Sequence, residues 1–237
     1  MYKRQPIFDS LTRQITSFEA LARWDHPELG PIAPLEFIAV AERTGTIAAL
    51  SKRIFAAAIL EAAGWPTAVG LTINLSAVDL CRPSTPLTIM SLCHRHGFDP
   101  RRLEVEVTET SVLSDFDAAR GQLDLLRRSG IGVVLDDFGS GFASISYLKE
   151  ITFDRVKIDG ELIADIVHSP KARQLVQGIL QLCLAISVPT TAEKVESEEQ
   201  LSVLVGLGCD RLQGYLLGRP VSARAARELT GDVRRVA

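Results

Sequence analysis

The sequence predicts an α/β fold in which parallel strands close into a barrel. Short apolar strands alternate with longer helical patterns along most of the 237 residues, and this order is typical of a parallel sheet covered by helices. Acidic or amide side chains follow several strands. This favours a closed barrel over an open doubly wound sheet, because barrel active sites gather at the carboxyl ends of the strands. No linker-like or low-complexity segment interrupts the pattern, so residues 1–237 are predicted to form one domain.

The first predicted elements follow from apolar periodicity. Residues 15–24 are predicted to form a strand that places Glu19, Leu21 and Arg23 on one face. Two helices are predicted next, over 34–44 and 47–65. The chain therefore begins with one strand and two helices before the regular alternation sets in.

Six units of a strand and a helix follow. Their strands are predicted over 69–76, 103–109, 131–137, 155–159, 188–193 and 211–213. Their helices are predicted toward residue 96, over 115–129, 144–150, 161–185 and 198–207, and from residue 222. Left-handed C-terminal residues are expected where glycine follows a helical pattern, at Gly97, Gly130 and Gly208. Ser114 and Ser197 are predicted N-caps, because acidic residues follow them in the first turn.

Composition limits the classes of function. The formal net charge of −3 comes without a long Lys/Arg run, which argues against binding to a nucleic-acid polymer. No apolar stretch approaches the roughly 20 residues that span a bilayer, and the N-terminus is unlike a secretory signal. A cytoplasmic protein is therefore predicted. The four cysteines form no C-x-x-C pair, so neither a disulfide framework nor a thiolate zinc site is expected.

Polar residues share one face of each strand. Side chains alternate along a strand, so Glu104 and Glu106 lie opposite the aliphatic residues of 103–109, and Lys157 lies opposite those of 155–159. If the aliphatic residues pack beneath the helices, the polar set points into the barrel. An unpaired charge there costs several kcal/mol.

The inward-facing set holds more acid than its one lysine, Lys157, can balance. Asp136 and Asp137 end one strand, and Glu193 ends another. A divalent cation would neutralise the excess, and carboxylate and amide oxygens suit Mg²⁺ or Mn²⁺ rather than zinc. The two adjacent aspartates could serve two ions, as in sites that activate water against a phosphodiester.

An ordered series of short motifs runs along nearly the whole chain. It includes Glu19-Ala20-Leu21 with Arg23-Trp24, Gln5-Pro6-Ile7, Pro34-Leu35-Glu36-Phe37-Ile38, Asn74-Leu75-Ser76-Ala77, Glu106-Val107-Thr108-Glu109, Asp136-Asp137-Phe138-Gly139, Lys157-Ile158-Asp159, Ala192-Glu193 and Gln213-Gly214-Tyr215-Leu216. Together these motifs resemble the EAL-domain cyclic di-GMP phosphodiesterases. The resemblance implies a modified TIM (β/α)8 barrel with an antiparallel first strand. It also implies metal-dependent hydrolysis of cyclic di-GMP to linear pGpG.

The resemblance also implies roles for individual residues. The first metal would be held by Glu19, Asn74, Glu106 and Asp136, and the second by Asp136, Asp137 and Glu193, with Asp136 bridging. Lys157 would hold or polarise the attacking water, so that Lys157, Glu193 and Glu19 form the catalytic set. Substrate would be contacted by Arg23 at a phosphate and by Gln5, Leu21 and Gln213 along the pocket.

Further implied roles concern the surroundings of the site and its partners. Glu109 would anchor the loop 138–142, which the resemblance places at a homodimer contact, and Glu196 would support the metal ligands. The domain would be fused to sensor or GGDEF domains in a longer protein. One position departs from the family pattern, since Lys194 stands where glycine is usual.

Two other functions are consistent with the same fold. A barrel that has lost turnover could serve as a cyclic di-GMP receptor or regulatory domain, and missing metal ligands would indicate it. All the matched acidic and amide positions are occupied here, which favours the enzyme. A structural barrel that docks a protein would not require so many inward-facing acids, and it ranks last.

Overall fold

The computed structural model describes residues 2–139 and 145–231. Its strands are β1 (Tyr2–Asp9), β2 (Ile15–Ala22), β3 (Trp24–His26), β4 (Gly30–Ile32), β5 (Gly70–Asn74), β6 (Leu103–Thr108), β7 (Gly132–Phe138), β8 (Arg155–Ile158), β9 (Thr190–Ala192) and β10 (Arg211–Leu212). Its helices are α1 (Pro34–Arg43), α2 (Ile47–Ala62), α3 (Ala77–Leu80), α4 (Thr85–His96), α5 (Glu109–Ser114), α6 (Phe116–Arg128), α7 (Ile145–Glu150), α8 (Gly160–Ala164), α9 (Pro170–Ala185), α10 (Glu198–Gly206) and α11 (Ala223–Gly231).

Eight strands close into one barrel in the order β1, β10, β9, β8, β7, β6, β5, β2. The neighbours from β2 through β5 to β10 are parallel, whereas β1 runs antiparallel to both β2 and β10. The predicted modified barrel is therefore confirmed. Periodicity alone did not predict β1, because the buried but charged Arg4 and the proline at position 6 interrupt its apolar alternation.

Three local predictions are wrong. The helix predicted over 161–185 is two helices, because Pro170 starts α9 and the Ser169 side chain caps its first turn. Ser114 ends α5 and is not the N-cap of α6; the Asp115 side chain takes that place by accepting a bond from Ala118 N. The first predicted strand stops at Ala22, and β3 pairs instead with β4 in a separate two-stranded sheet.

The aliphatic faces of the strands form the core against the helices. Leu71, Val105, Val133 and Val156 are fully buried, and Ile73 is 1% exposed. Removal of this apolar surface from water is the main stabilising contribution to the fold. The opposite faces of the same strands, which point into the barrel, carry the polar residues, as the alternation predicted.

Helix ends follow the predicted capping residues at several positions. Gly97, Gly130 and Gly208 all adopt positive φ, the left-handed conformation in which glycine carries no steric cost. Ser197 forms a full capping box with Gln200. Within the described residues, none of the helices combines the length and the apolar character needed to cross a bilayer.

The capping box of α10 leads to a stability prediction. Ser197→Ala removes the hydroxyl that accepts a bond from Gln200 N, so the free energy of unfolding should fall by about 1 kcal/mol. Ser202→Ala is the matched control, because Ser202 is exposed within the same helix, and it should change stability little. Urea unfolding of both variants provides the test, and equal effects would contradict the capping role.

Candidate active site

The carboxyl ends of the parallel strands bring the predicted polar residues together. Several strands each carry or precede at least one member of the set: Glu19 (β2), Asn74 (β5), Glu106 (β6), Asp136 and Asp137 (β7), Lys157 (β8), Glu193 (after β9) and Gln213 (after β10). Convergence at this end of the barrel results from the parallel register and the inward direction of alternate side chains.

Lys157 lies at the centre of the set and is only 1% exposed. Its Nζ lies 2.6 Å from Glu193 Oε1 and 2.9 Å from Glu106 Oε1. The same atom lies 3.2 Å from Asp136 Oδ1 and 3.7 Å from Glu19 Oε2. One buried ammonium therefore faces carboxylates from four different strands or strand ends.

Two amide side chains fix the orientation of Glu19. Asn74 Nδ2 donates to Glu19 Oε1 and Gln213 Nε2 donates to Glu19 Oε2, both at 2.8 Å. Gln5 is the register partner of Glu19 on β1, and its Nε2 donates to Gly218 O at 3.3 Å. The Glu19 carboxylate is therefore held by one amide from β5 and one from the end of β10.

The pKa values of this cluster reflect its burial and the short distances between its charged groups. Burial tends to lower the pKa of Lys157, but the surrounding carboxylates outweigh that effect and hold the pKa well above its ordinary value. Burial raises the pKa of Glu106 strongly, and the nearby Glu19 and Asp136 add to the shift. Burial likewise raises the pKa of Glu193 to about 7. The cluster thus holds more carboxylates than its ammonium can balance.

Glu19 behaves differently from the other buried acids. Its burial tends to raise the pKa, but Lys157 and the amide donors Gln213 and Asn74 lower it below the ordinary value. Glu19 is therefore stabilised as a carboxylate without any further cation.

A second group of acids lies at the tips of β7 and β9. Asp136, Asp137 and Glu193 each offer an oxygen, and these oxygens all lie within 4.8 Å of one another. Burial raises the pKa of Asp137 to about 6, and the carboxylates of Asp136 and Asp159 add to the shift. Close grouping of carboxylate oxygens is a suitable environment for a hard divalent cation.

The donor set also fits a metal beside Glu106. Glu106 Oε2 is buried without a hydrogen-bond partner among the described residues, and a buried polar oxygen left in that state is costly. Carboxylate oxygens surround it, and no cysteine or histidine belongs to the cluster. This chemistry suits Mg²⁺ or Mn²⁺ rather than a softer ion.

A groove of about 680 Å³ opens above the acids. Glu19, Asn74 and Asp137 form part of its floor, and Leu21 and Arg23 line it. A groove of this volume is in the range that holds small-molecule ligands. The groove is therefore lined by apolar surface from Leu21, by the guanidinium of Arg23 and by several of the predicted metal ligands.

The predicted supporting residues lie in different surroundings. The buried Glu109 accepts a hydrogen bond from Gly139 N at 3.0 Å, as expected for an anchor of the loop 138–142. Positions 140–142, where the homodimer contact was predicted, lie outside the described residues. Glu196 is exposed, and its backbone N–H donates to Gln200 Oε1 at 2.8 Å, so its side chain does not join the buried cluster.

The sequence reasoning missed two charged features. Glu104, below Glu106 on β6, faces Arg211 Nη1 at 3.3 Å and Arg155 Nε at 3.5 Å, so Lys157 is not the only inward-facing cation. The buried Asp159 lies beside Asp137 and raises its pKa. The alternation of strand β8 places Arg155 on the same face as Lys157, which was the available signal.

Lys194 keeps a conformation that favours glycine. Its φ is +51°, although left-handed backbone costs roughly 1–2 kcal/mol for a residue with a Cβ. Despite this cost, the neighbouring Glu193 converges with Asp136 and Asp137.

Comparisons with known proteins agree with this arrangement. A family model described as the EAL domain matches residues 3–220. The chain is 33% identical over 220 residues to a cyclic di-GMP phosphodiesterase of Pseudomonas aeruginosa, with 92% of this chain covered. It is 35% identical over 209 residues to the bifunctional diguanylate cyclase/cyclic di-GMP phosphodiesterase MucR of the same organism, with 86% covered. The match spans 38% and 30% of those two relatives and 27% of two others.

Solved structures show the same fold. The phosphodiesterase of MucR in complex with c-di-GMP matches with a TM-score of 0.90 and 33% identity, covering 95% of this chain and 93% of that one. A manganese and cyclic di-GMP complex of Klebsiella pneumoniae BlrP1 matches with a TM-score of 0.83 and 31% identity, covering 93% and 55% of the two chains.

The raised pKa values predict proton release on metal binding. Glu193 and Asp137, with pKa values of about 7 and about 6, must lose their protons to ligate an ion. Calorimetric titration with Mn²⁺ in buffers of different ionisation enthalpy should detect on the order of one more proton released at pH 6 than at pH 8. Glu193→Gln should reduce the release at pH 6, and the exposed control Glu36→Gln should not. Equal release at both pH values would contradict the raised pKa values.

Proposed function

This chain belongs to the EAL domain family, and on that premise we propose that it hydrolyses cyclic di-GMP to linear pGpG with Mg²⁺ or Mn²⁺. One phosphodiester bond of the cyclic dinucleotide is broken by water, so one phosphate becomes terminal. The observation that carries the proposal is the cluster of carboxylates around Lys157 beneath a groove lined by Arg23. The named activities of the two Pseudomonas relatives support the same substrate.

The metal ligands follow from the two groups of acids. One ion would be held by Glu19, Asn74, Glu106 and Asp136, and a second by Asp136, Asp137 and Glu193. When bound, these ions would supply Lewis-acid chemistry, which lowers the pKa of water and neutralises charge on the phosphate. A manganese complex of the similar BlrP1 supports this choice of metal.

Lys157 would orient the attacking water. Its ammonium is held charged at neutral pH by the surrounding carboxylates, so it can donate a hydrogen bond to the water oxygen and keep a lone pair directed at phosphorus. The contact with Glu193 Oε1 at 2.6 Å restricts the position of the ammonium. Such positioning lowers the barrier because the reacting groups are already aligned.

Substrate contacts would come from the groove and its floor. Arg23 lines the groove, and a planar guanidinium matches the oxygens of a phosphate. Leu21 offers apolar surface beside it. Gln5 and Gln213 lie next to Glu19, where they would border the bound nucleotide.

The direct test is an assay of the purified domain. Incubation with cyclic di-GMP and Mn²⁺ or Mg²⁺ should yield pGpG, which chromatography separates from the substrate, and chelation of the metal should stop the reaction. If calorimetry detects cyclic di-GMP binding but no pGpG forms with either metal, the domain is a receptor and the proposed activity is wrong.

Glu19→Gln separates metal-dependent turnover from substrate binding. The change removes one anionic ligand while keeping the shape of the side chain. Because even a supporting residue of a metal site is worth about 10- to 100-fold, kcat/KM should fall on the order of 100-fold or more. Glu36→Gln, an exposed carboxylate near the same groove, is the control. Normal metal-dependent turnover by Glu19→Gln would refute the ligand assignment.

Arg23→Met should give a different kinetic result. Loss of a charge-assisted hydrogen bond to phosphate is worth about 1.5–3 kcal/mol, so KM should rise about 10- to 100-fold with a smaller change in kcat. Arg53→Met provides a control, because Arg53 is exposed on the neighbouring helix α2. A fall in kcat with unchanged KM would argue that Arg23 does not bind substrate.

The greater length of the relatives extends the proposal to a larger protein. The chain spans 27% to 38% of the length of curated relatives that it matches, so we propose that it works beside sensor or GGDEF domains in a longer protein. A homodimer and a cytoplasmic location stay predictions.

A further inference from the structure

The backbone at the tip of β9 is fixed on both sides of Lys194. Glu193 N donates to Ile158 O at 3.3 Å, and Val195 N donates to Gln213 O at 3.0 Å. These bonds attach the segment to β8 on one side and to the end of β10 on the other. The positive φ of Lys194 is therefore imposed by its neighbours.

Gly214 fixes the same segment from a second direction. A Cβ at Gly214 would overlap the backbone of Val195, so the chain after β10 lies directly against the residue that follows Lys194. Leu216 N also donates to Val195 O at 3.1 Å. This close approach leaves little freedom for Lys194 to leave the left-handed conformation.

The Lys194 side chain lies on Gly160. A Cβ built at Gly160 would lie 2.5 Å from Lys194 Cβ and closer still to Cγ and Cδ, distances that real side chains do not adopt. The aliphatic stem of the lysine therefore occupies the space that any side chain at position 160 would need. Gly160 is buried at the start of α8.

This contact joins two strand tips that carry acids. Asp159 precedes Gly160 and lies beside Asp137, while Glu193 precedes Lys194. We propose that Lys194 is a positioning residue whose stem packs on Gly160 and holds the tips of β8 and β9 at a fixed separation. Glu193 thereby keeps the position from which it would ligate the second ion. The inference deepens the proposed function, on which it rests.

The aliphatic stem of Lys194 carries the positioning role, and its charge does not. Lys194 is exposed, and its ammonium forms none of the ion pairs found within residues 2–139 and 145–231. Lys194→Met keeps most of the stem and removes the charge, whereas Lys194→Gly removes both. The two variants therefore separate packing from electrostatics.

The first measurement is Mn²⁺ affinity of the intact metal-free domain, determined from the electron paramagnetic resonance signal of free Mn²⁺. Lys194→Gly should weaken affinity about tenfold, the lower range for a supporting residue, while Lys194→Met stays near wild type. The urea midpoint of Lys194→Gly should not fall, because glycine adopts positive φ freely. A merely structural lysine would instead lower affinity and stability together.

The second measurement uses the partner residue. Gly160→Ala forces a methyl group into the lysine stem and should weaken Mn²⁺ binding more than Lys194→Gly does. The double variant Gly160→Ala/Lys194→Gly removes the collision and should return to the affinity of Lys194→Gly alone. Gly178→Ala is the control, because a Cβ at Gly178 meets nothing within 4 Å. The double variant also tests the contact if Gly160→Ala does not fold.

Each outcome has a separate meaning. Independent effects of the two substitutions, or equal loss of affinity in Lys194→Met and Lys194→Gly, would overturn the positioning role, whether or not the domain degrades cyclic di-GMP. Absence of pGpG from a wild-type domain that binds Mn²⁺ would overturn the proposed activity and leave the coupling result valid. Absence of Mn²⁺ binding by the wild type would overturn both.

Discussion

The acidic cluster at the carboxyl end of the barrel depends on one buried ammonium. Lys157 Nζ faces oxygens from Glu19, Glu106, Asp136 and Glu193, in an interior where separated charges would cost several kcal/mol each. The ammonium reduces the repulsion between these acids without cancelling their combined charge. The site is therefore stable enough to form in the folded chain and still favourable for additional positive charge. The raised pKa values of Glu106 and Glu193 and the fit of the cluster to a hard cation share this single electrostatic cause.

A polar barrel interior is tolerated because the apolar surface of the strands is buried elsewhere. Leu71, Val105 and Val133 face the helices, so hydrophobic burial stabilises the outside of the sheet. The inside can then hold charges in two regions. At the lower end Glu104 pairs with Arg155 and Arg211, and above it Lys157 pairs with the acids of the cluster. Strands that alternate strictly can separate stability from chemistry in this way, since neighbouring residues contribute to different faces.

The sequence allowed the barrel and most of its polar set to be predicted, because both follow from local periodicity and from the side chains at strand ends. The strand β1 was not predictable by that route, since its alternation becomes visible only when β2 and β10 lie beside it. Pro170 marks the break between α8 and α9, but the long apolar pattern of 161–185 favours a single helix. The contact between Gly160 and Lys194 joins residues distant in the chain, and neither residue signals it alone. Close approach of this kind is a property of the assembled barrel.

The antiparallel direction of β1 determines where the domain connects to anything upstream. Tyr2 pairs with Ala22 at the carboxyl end of β2, next to Arg23 and the groove, so a segment preceding Tyr2 would meet the barrel at the end that carries the acidic cluster. A parallel first strand would have put that junction at the opposite end, a full barrel height away. Any upstream segment would therefore join β1, the strand whose Gln5 is the register partner of Glu19. A displacement of such a segment would reach the site through one strand pair.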